Sequence, residues 1–275
     1  MLFEILSVIA PVFICALLGF CWVSRGLDFD TRFVSTLVTN IGAPCLIFSS
    51  FMEKQVDMAA FSAMAGATIC CMLLIGSASF IMLKLARLDL HTFLPSQMFP
   101  NVGNMGLPLC LLAFGDEGLA LGLTYFMINS MFGFTLGMSI SAGKLSVREI
   151  LRNPMFYTVI VTLTALFTGV KPPAWLQNTT SLLGGLTIPL MLIALGVSLG
   201  RFRVSSIKRS VALSLFRLVM GFLVGLGVAS LLGFEGSARG ILILQSSMPV
   251  AVFSYLFAVR YNRNPEEVAG TVVIS

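Results

Sequence analysis

Apolar residues run along this chain in blocks of about twenty, parted by short polar stretches that hold most of the charge. A helix that spans a bilayer needs about 20 apolar residues. Nine blocks meet that length: 2–23, 33–51, 58–83, 93–114, 118–142, 153–170, 177–200, 207–233 and 237–259. A tenth starts near Pro265, reads PEEVAGTVVIS, and reaches Ser275 after only about 10 residues of helix, too few to span. It reads as a partial or truncated helix, and truncation is the expectation. Composition points the same way, with 57% hydrophobic and 11% charged residues and a mean hydropathy of +0.97. A soluble chain carries about twice that charged fraction. The pattern predicts an all-α polytopic membrane protein with one membrane domain over residues 1–275. Residues 1–23 have no basic n-region and no small-x-small site before Arg25, so they read as a retained first helix, not a signal peptide.

Charge gives the orientation. Loops that follow odd-numbered segments hold 13 basic residues, among them Arg25, Lys84, Lys144, Arg209 and Arg263. Loops that follow even-numbered segments hold 3, Lys54, Lys171 and Arg239. By the positive-inside rule the odd loops are cytoplasmic and the N-terminus is outside. The net charge of +5 therefore reflects membrane topology and is no nucleic-acid signal. The basic stretch 201–209 could touch anionic lipid, and its simpler reading is a topology determinant.

Two segments break the apolar rule in their middle. Segment 93–114 contains Gln97, Pro100, Asn101, Gly103, Asn104, Gly106 and Pro108. Proline removes a backbone donor and clashes with the preceding turn, so a break is expected near 100–104. Freed backbone groups must face protein or a watery cavity, because lipid offers them no partner. Segment 237–259 carries a second interruption, SSMPVAVF at 246–253. Pro100 aligns with Pro249 at an offset of 149, Pro44 with Pro189 at 145, and the pair Asp116–Glu117 with Glu266–Glu267 at 150. A nearly constant offset implies a five-helix unit used twice, about 1–143 and about 150–275. An odd number of helices turns the second copy over, which gives an inverted repeat.

The residues PVFICALLGF (11–20), NIGAPCLIF (40–48) and above all PNVGNMGLPL (100–109) resemble the auxin efflux carrier family, over nearly the whole chain. Bacterial members of that family are described as malonate or malate permeases, and it belongs to the bile, arsenite and riboflavin transporter superfamily. The resemblance implies ten helices in two inverted five-helix repeats, as in bile acid sodium symporters, with helices 4 and 9 broken and crossing at the midplane. It further implies alternating access between a scaffold and a mobile domain. The carboxylate site it implies falls on Pro100, Asn101 and Pro249. Plant carriers have an Asn beside the helix 9 proline where this chain has Val250, and the nearby polar residues here are Gln245, Ser246 and Ser247.

The residues themselves suit an anion. All twelve acidic residues fall in loops or near predicted helix ends, so no carboxylate occupies the place where sodium or proton coupling usually puts one. A broken helix exposes an N-terminus with free N–H groups and about half a positive charge. Asn101 would add amide donors. Asn104 is either a ligand or a cap on the second half-helix. Gln97 and Gln245 flank the breaks and could reach substrate or satisfy freed carbonyls. Asn40 lines a cavity or bonds a neighbouring helix, and Asn129 has the same two readings. Arg217, about 15 Å along its helix, is an anion attractor at the inner vestibule or a paired or snorkelled structural residue. Gly133-x3-Gly137, Gly196-x3-Gly200 and Gly221-x3-Gly225 suit close helix packing. The six cysteines lie in apolar segments without metal-ligand spacing, and the only histidine is His91.

The expectation is thus a secondary transporter, an efflux permease, of small organic carboxylates in a bacterial cytoplasmic membrane. The alternative is a channel-like or uniport facilitator with the same fold. No cofactor, metal or enzymatic constellation is expected. Proton coupling and a homodimer are compatible with this reading and are not read from the residues.

Overall fold

A computed structural model describes residues 2–52, 58–144, 151, 154–200 and 206–275. Within them the chain is helical throughout, and the sole β-type pairing is one isolated bridge. The helices are α1 (Leu2–Ser24), α2 (Thr31–Leu37), α3 (Ala43–Met52), α4 (Met58–Leu85), α5 (Leu90–Met98), α6 (Leu107–Phe132), α7 (Met138–Ala142), α8 (Pro154–Thr168), α9 (Ala174–Gly200), α10 (Ile207–Leu231), α11 (Gly236–Ser246), α12 (Val252–Tyr261) and α13 (Pro265–Ile274). Each of the ten apolar segments has its counterpart. The second is α2 and α3 joined by a π-helical turn, Val38–Gly42. The fourth is α5, a break, a π-helical turn at Val102–Gly106, and the start of α6. The ninth is α11, a break and α12. Gly115, at φ 64° and ψ −154°, ends the fourth segment inside α6. That left-handed φ is open to glycine without a Cβ penalty.

Among the described residues, Ala59–Leu85, Glu117–Ala142 and Ile207–Leu231 are by themselves long and apolar enough to cross a membrane. Their outward faces carry large apolar side chains such as Leu73 (63% exposed), Ile81 and Leu215 (61%). A surface of this kind is stable against lipid, not water. The basic residues of 145–150, 152–153 and 201–205, and Lys54, lie outside the described residues.

The fourth segment begins earlier than its apolar run. Asp89 accepts hydrogen bonds from Thr92 N (2.8 Å) and Thr92 Oγ1 (2.6 Å), so α5 starts at Leu90. An Asp N-cap satisfies an orphan donor of the first turn. Burial pushes the Asp89 carboxyl up, yet the two bonds from Thr92 outweigh it, and the group is held below its ordinary 3.8.

Small residues set the closest approaches. α1 packs on α9, where a Cβ on Gly19 would strike Ile193 O and one on Gly196 would strike Ala16 O. α9 also packs on α3, and α3 on α8. In the rest of the molecule, α4 packs on α5, α6 and α10, and α10 packs on α11 and α13. Gly221 of α10 has Ser246 O in the place of a side chain. The larger hydrophobic core joins α3, α4, α5, α6, α10 and α11 with Phe257 of α12, and a smaller one joins α2, α9, α12 and α13.

Candidate functional site

The two interrupted segments meet at their breaks. Phe99 has left the helix, at φ −108° and ψ 103°, and Asn101 sits at φ −78° and ψ 59°. Across from them, Ala251 is extended, at φ −67° and ψ 138°. Asn101 N donates to Pro249 O (2.7 Å), and Ala251 N donates to Phe99 O (3.2 Å). This exchange makes Pro100 and Val250 an antiparallel bridge. It satisfies four of the backbone groups that the breaks release, which a helix interrupted within an apolar layer requires. Val250 N, also freed, donates to Ser275 Oγ (3.0 Å).

Two helix starts follow the bridge, at Val102 and at Val252. Neither Asn101 nor Ala251 makes a side-chain cap bond. The first N–H groups of a helix have no partner within it and carry partial positive charge. Both starts border a cavity of about 20 Å³, lined on its polar side by Asn101, Asn129, Ser130 and Ser254. Five rings, Phe99, Phe126, Phe134, Phe253 and Phe257, form much of its apolar wall. Phe134 meets Phe253 and Phe257 edge-on, with centroids 4.1 and 5.6 Å away. Gly137 leaves room for the Phe99 ring, whose Cε2 would stand 2.8 Å from a Cβ there.

Of the residues singled out in the sequence, Pro100 and Asn101 line this cavity, and Pro249 joins it through the bridge. Asn129 Nδ2 lies 3.5 Å from Pro100 O, which also accepts from Val102 N (2.8 Å). Gln245 lies outside the cavity: its Nε2 is 3.2 Å from Cys110 Sγ, and its Oε1 crowds Gly106. Gln97 is fully buried, with both amide atoms unpartnered among the described residues. Ser247 Oγ bonds back to Ile243 O in its own helix (2.7 Å). Asn40 is exposed on the π-helical turn before α3. Asn104 is in the turn after the first break, and its side chain lies outside what is described.

Arg217 and Ser246 form a separate centre. Arg217 is fully buried, and its Nη2 donates to Ser246 O (2.8 Å) at the C-terminus of α11. Ser246 Oγ donates to Leu242 O (2.7 Å), so Tyr125 OH, 3.3 Å away, is the donor to Ser246 Oγ. A cation at a helix C-terminus meets the negative end of the dipole. The guanidinium thus holds the last turn before the second break.

Ser130, Ser254 and the five phenylalanines were not singled out from the sequence. One signal was available for Ser254: it follows Pro249 by five residues, in the first turn of a restarted helix. Nothing in the composition separates these rings from the many phenylalanines that face lipid.

The family model described as membrane transport protein matches residues 4–145 and 139–275. An uncharacterized transporter of Methanothermobacter thermautotrophicus is 26% identical over 97% of this chain and 92% of its own length. One of Methanocaldococcus jannaschii is 22% identical over 98% and 94%. A probable auxin efflux carrier component 1b of Oryza sativa subsp. japonica is 25% identical over 46% of this chain and 24% of its own. Taken with the apolar helices, these matches identify a multi-pass membrane transporter and not an enzyme: the chain belongs to the membrane transport protein family, that of the auxin efflux carriers.

Proposed function

We propose that this protein is a secondary transporter that moves a small organic carboxylate by alternating access, with the anion held where the two broken helices cross. The observation that carries this reading is the paired exchange of backbone hydrogen bonds between the breaks, which brings two uncapped helix starts to one cavity. Two positive helix ends suit a carboxylate without any basic side chain. Asn101 adds an amide to them. A cavity of about 20 Å³ has room for a single water-sized group. The anion therefore enters only when the surrounding helices part, which is what alternating access supplies.

An inverted repeat is supported by the packing itself. The contact of α1 with α9 is mirrored by that of α8 with α3, α4 with α5 by α10 with α11, and α4 with α6 by α10 with α13. The bridge pairs Pro100 with Val250, an offset of 150 that equals the spacing of the acidic pairs. Under this reading α1, α2, α3, α8 and α9 form the scaffold, and the remaining helices move against it. The protein sits in a bacterial cytoplasmic membrane with its N-terminus outside, and export is the favoured direction.

Counterflow in proteoliposomes tests this. Unlabelled malonate or malate inside should drive uptake of the labelled anion, with a pH gradient applied to reveal proton coupling. Downhill flux without counterflow would favour the second reading, a channel-like facilitator, since a channel cannot exchange.

A further inference from the structure

We propose that the site selects carboxylates that also carry a hydroxyl group, with Asn129 as the acceptor and Ser254 as the donor to that hydroxyl. This rests on the carboxylate reading above. Both residues line the bridge cavity, and both are buried, at 5% and 4% exposure. Asn129 Oδ1 and Ser254 Oγ have no hydrogen-bond partner among the described residues. Asn129 turns Nδ2 toward Pro100 O, 3.5 Å away, and its Oδ1 is left over. Oδ1 can only accept. The serine hydroxyl can donate. Buried groups of this kind cost free energy when they stay unpaired.

One small group answers both. A hydroxyl donates to Oδ1 and accepts from Ser254, and a cavity of about 20 Å³ holds one. A carboxylate in the hydroxyl's place would set acceptor against Oδ1, so the second carboxylate of a diacid such as malate lies elsewhere. An ammonium is disfavoured by the two positive helix ends beside it. The phenylalanine wall offers no competing hydrogen bond. The carboxylate would then lie at the helix starts after Asn101 and Ala251, one carbon from its hydroxyl, as in a 2-hydroxy acid.

The experiment is competition against labelled malate counterflow in proteoliposomes, with competitor pairs that differ only in the hydroxyl: lactate and propionate, malate and succinate. A site built to bond a hydroxyl rejects the analogue without it. The hydroxy member of each pair is expected to compete at least about tenfold better. Ser254→Ala and, separately, Asn129→Leu should bring that ratio toward one. The ratio is read within each variant, so a general loss of transport cancels. Equal competition within the pairs, or a ratio that persists in a functional Ser254→Ala protein, overturns this inference and leaves the carboxylate reading standing. Absence of malate counterflow, and of lactate counterflow in a parallel assay, from folded protein overturns both.

Discussion

At the residue scale, backbone and side chain have separate tasks at the break. Asn101 closes the bridge through its N–H, which any residue but proline would supply. Its side chain is free of that duty and lines the cavity. Asn101→Ala should therefore insert and fold as the parent does, with its thermal unfolding in detergent unchanged, while counterflow is abolished. Normal flux in a well-folded variant would remove Asn101 from the site. Arg217 is the opposite case. Its side chain is fully buried and supports the Ser246 carbonyl, so Arg217→Ala leaves both a void and an orphan acceptor. Each of these is destabilising, and a loss of about 2 kcal/mol or more is expected, read as an earlier unfolding midpoint in detergent. The sequence marked Pro100 and Asn101, because proline and amide residues in an apolar run are chemically conspicuous. It read Asn129 as a cavity or packing residue alike, since the deciding fact is which carbonyl its amide meets, 29 residues away. Ser254 and the ring wall depend on how two distant segments face each other, and periodicity within one segment carries no such information.

At the element scale, length and hydropathy located all ten segments, and proline located both interruptions. The details follow local chemistry that hydropathy does not see. The helix after the first break restarts at Val102 through a π-helical turn, sooner than the run of Pro, Asn and Gly suggests. The breaks pair at an offset of 150, and the prolines, at 149, are one position out of register. A strand-type bridge is matched by its hydrogen bonds, not by the identity of its residues. The start of α5 likewise answers to Asp89. Asp89→Ala should cost about 1 kcal/mol through the lost cap. The pH dependence has a definite sign. A carboxyl held below its unfolded value adds stability above that value and loses it as pH falls through the folded one. The stability gap between the parent and Asp89→Asn, measured by thermal unfolding from pH 7 down to pH 3, should narrow on acidification. A gap that widens would contradict the role of Thr92 as donor to the charged form.

At the scale of the whole molecule, the fold sorts the loop ends into two faces. The ends that carry most of the basic residues gather together: His91 Nδ1 lies 2.8 Å from Ile140 O, Arg263 Nε donates to Ser141 O (2.9 Å), and Arg209 pairs with Glu267 (2.7 Å). The opposite set also meets itself, with Ser237 Oγ donating to Glu117 Oε2 (3.2 Å). The grouping matches the odd and even loops of the sequence, although the contacts span 49 to 122 residues and no loop charge specified them. Since 13 basic residues follow odd segments and 3 follow even ones, the face with Arg263 should be cytoplasmic. Glu117 and Lys144 mark the two faces, and both are exposed. In a background with the six cysteines replaced, a membrane-impermeant maleimide applied to intact cells should label Glu117→Cys. Lys144→Cys should react only after the membrane is made permeable. The reverse pattern would place the basic face outside and, with it, invert the direction assigned to transport. Labelling of both in intact cells would mean that residues 117 and 144 share one side, which an apolar helix from Glu117 to Ala142 that spans the bilayer does not allow.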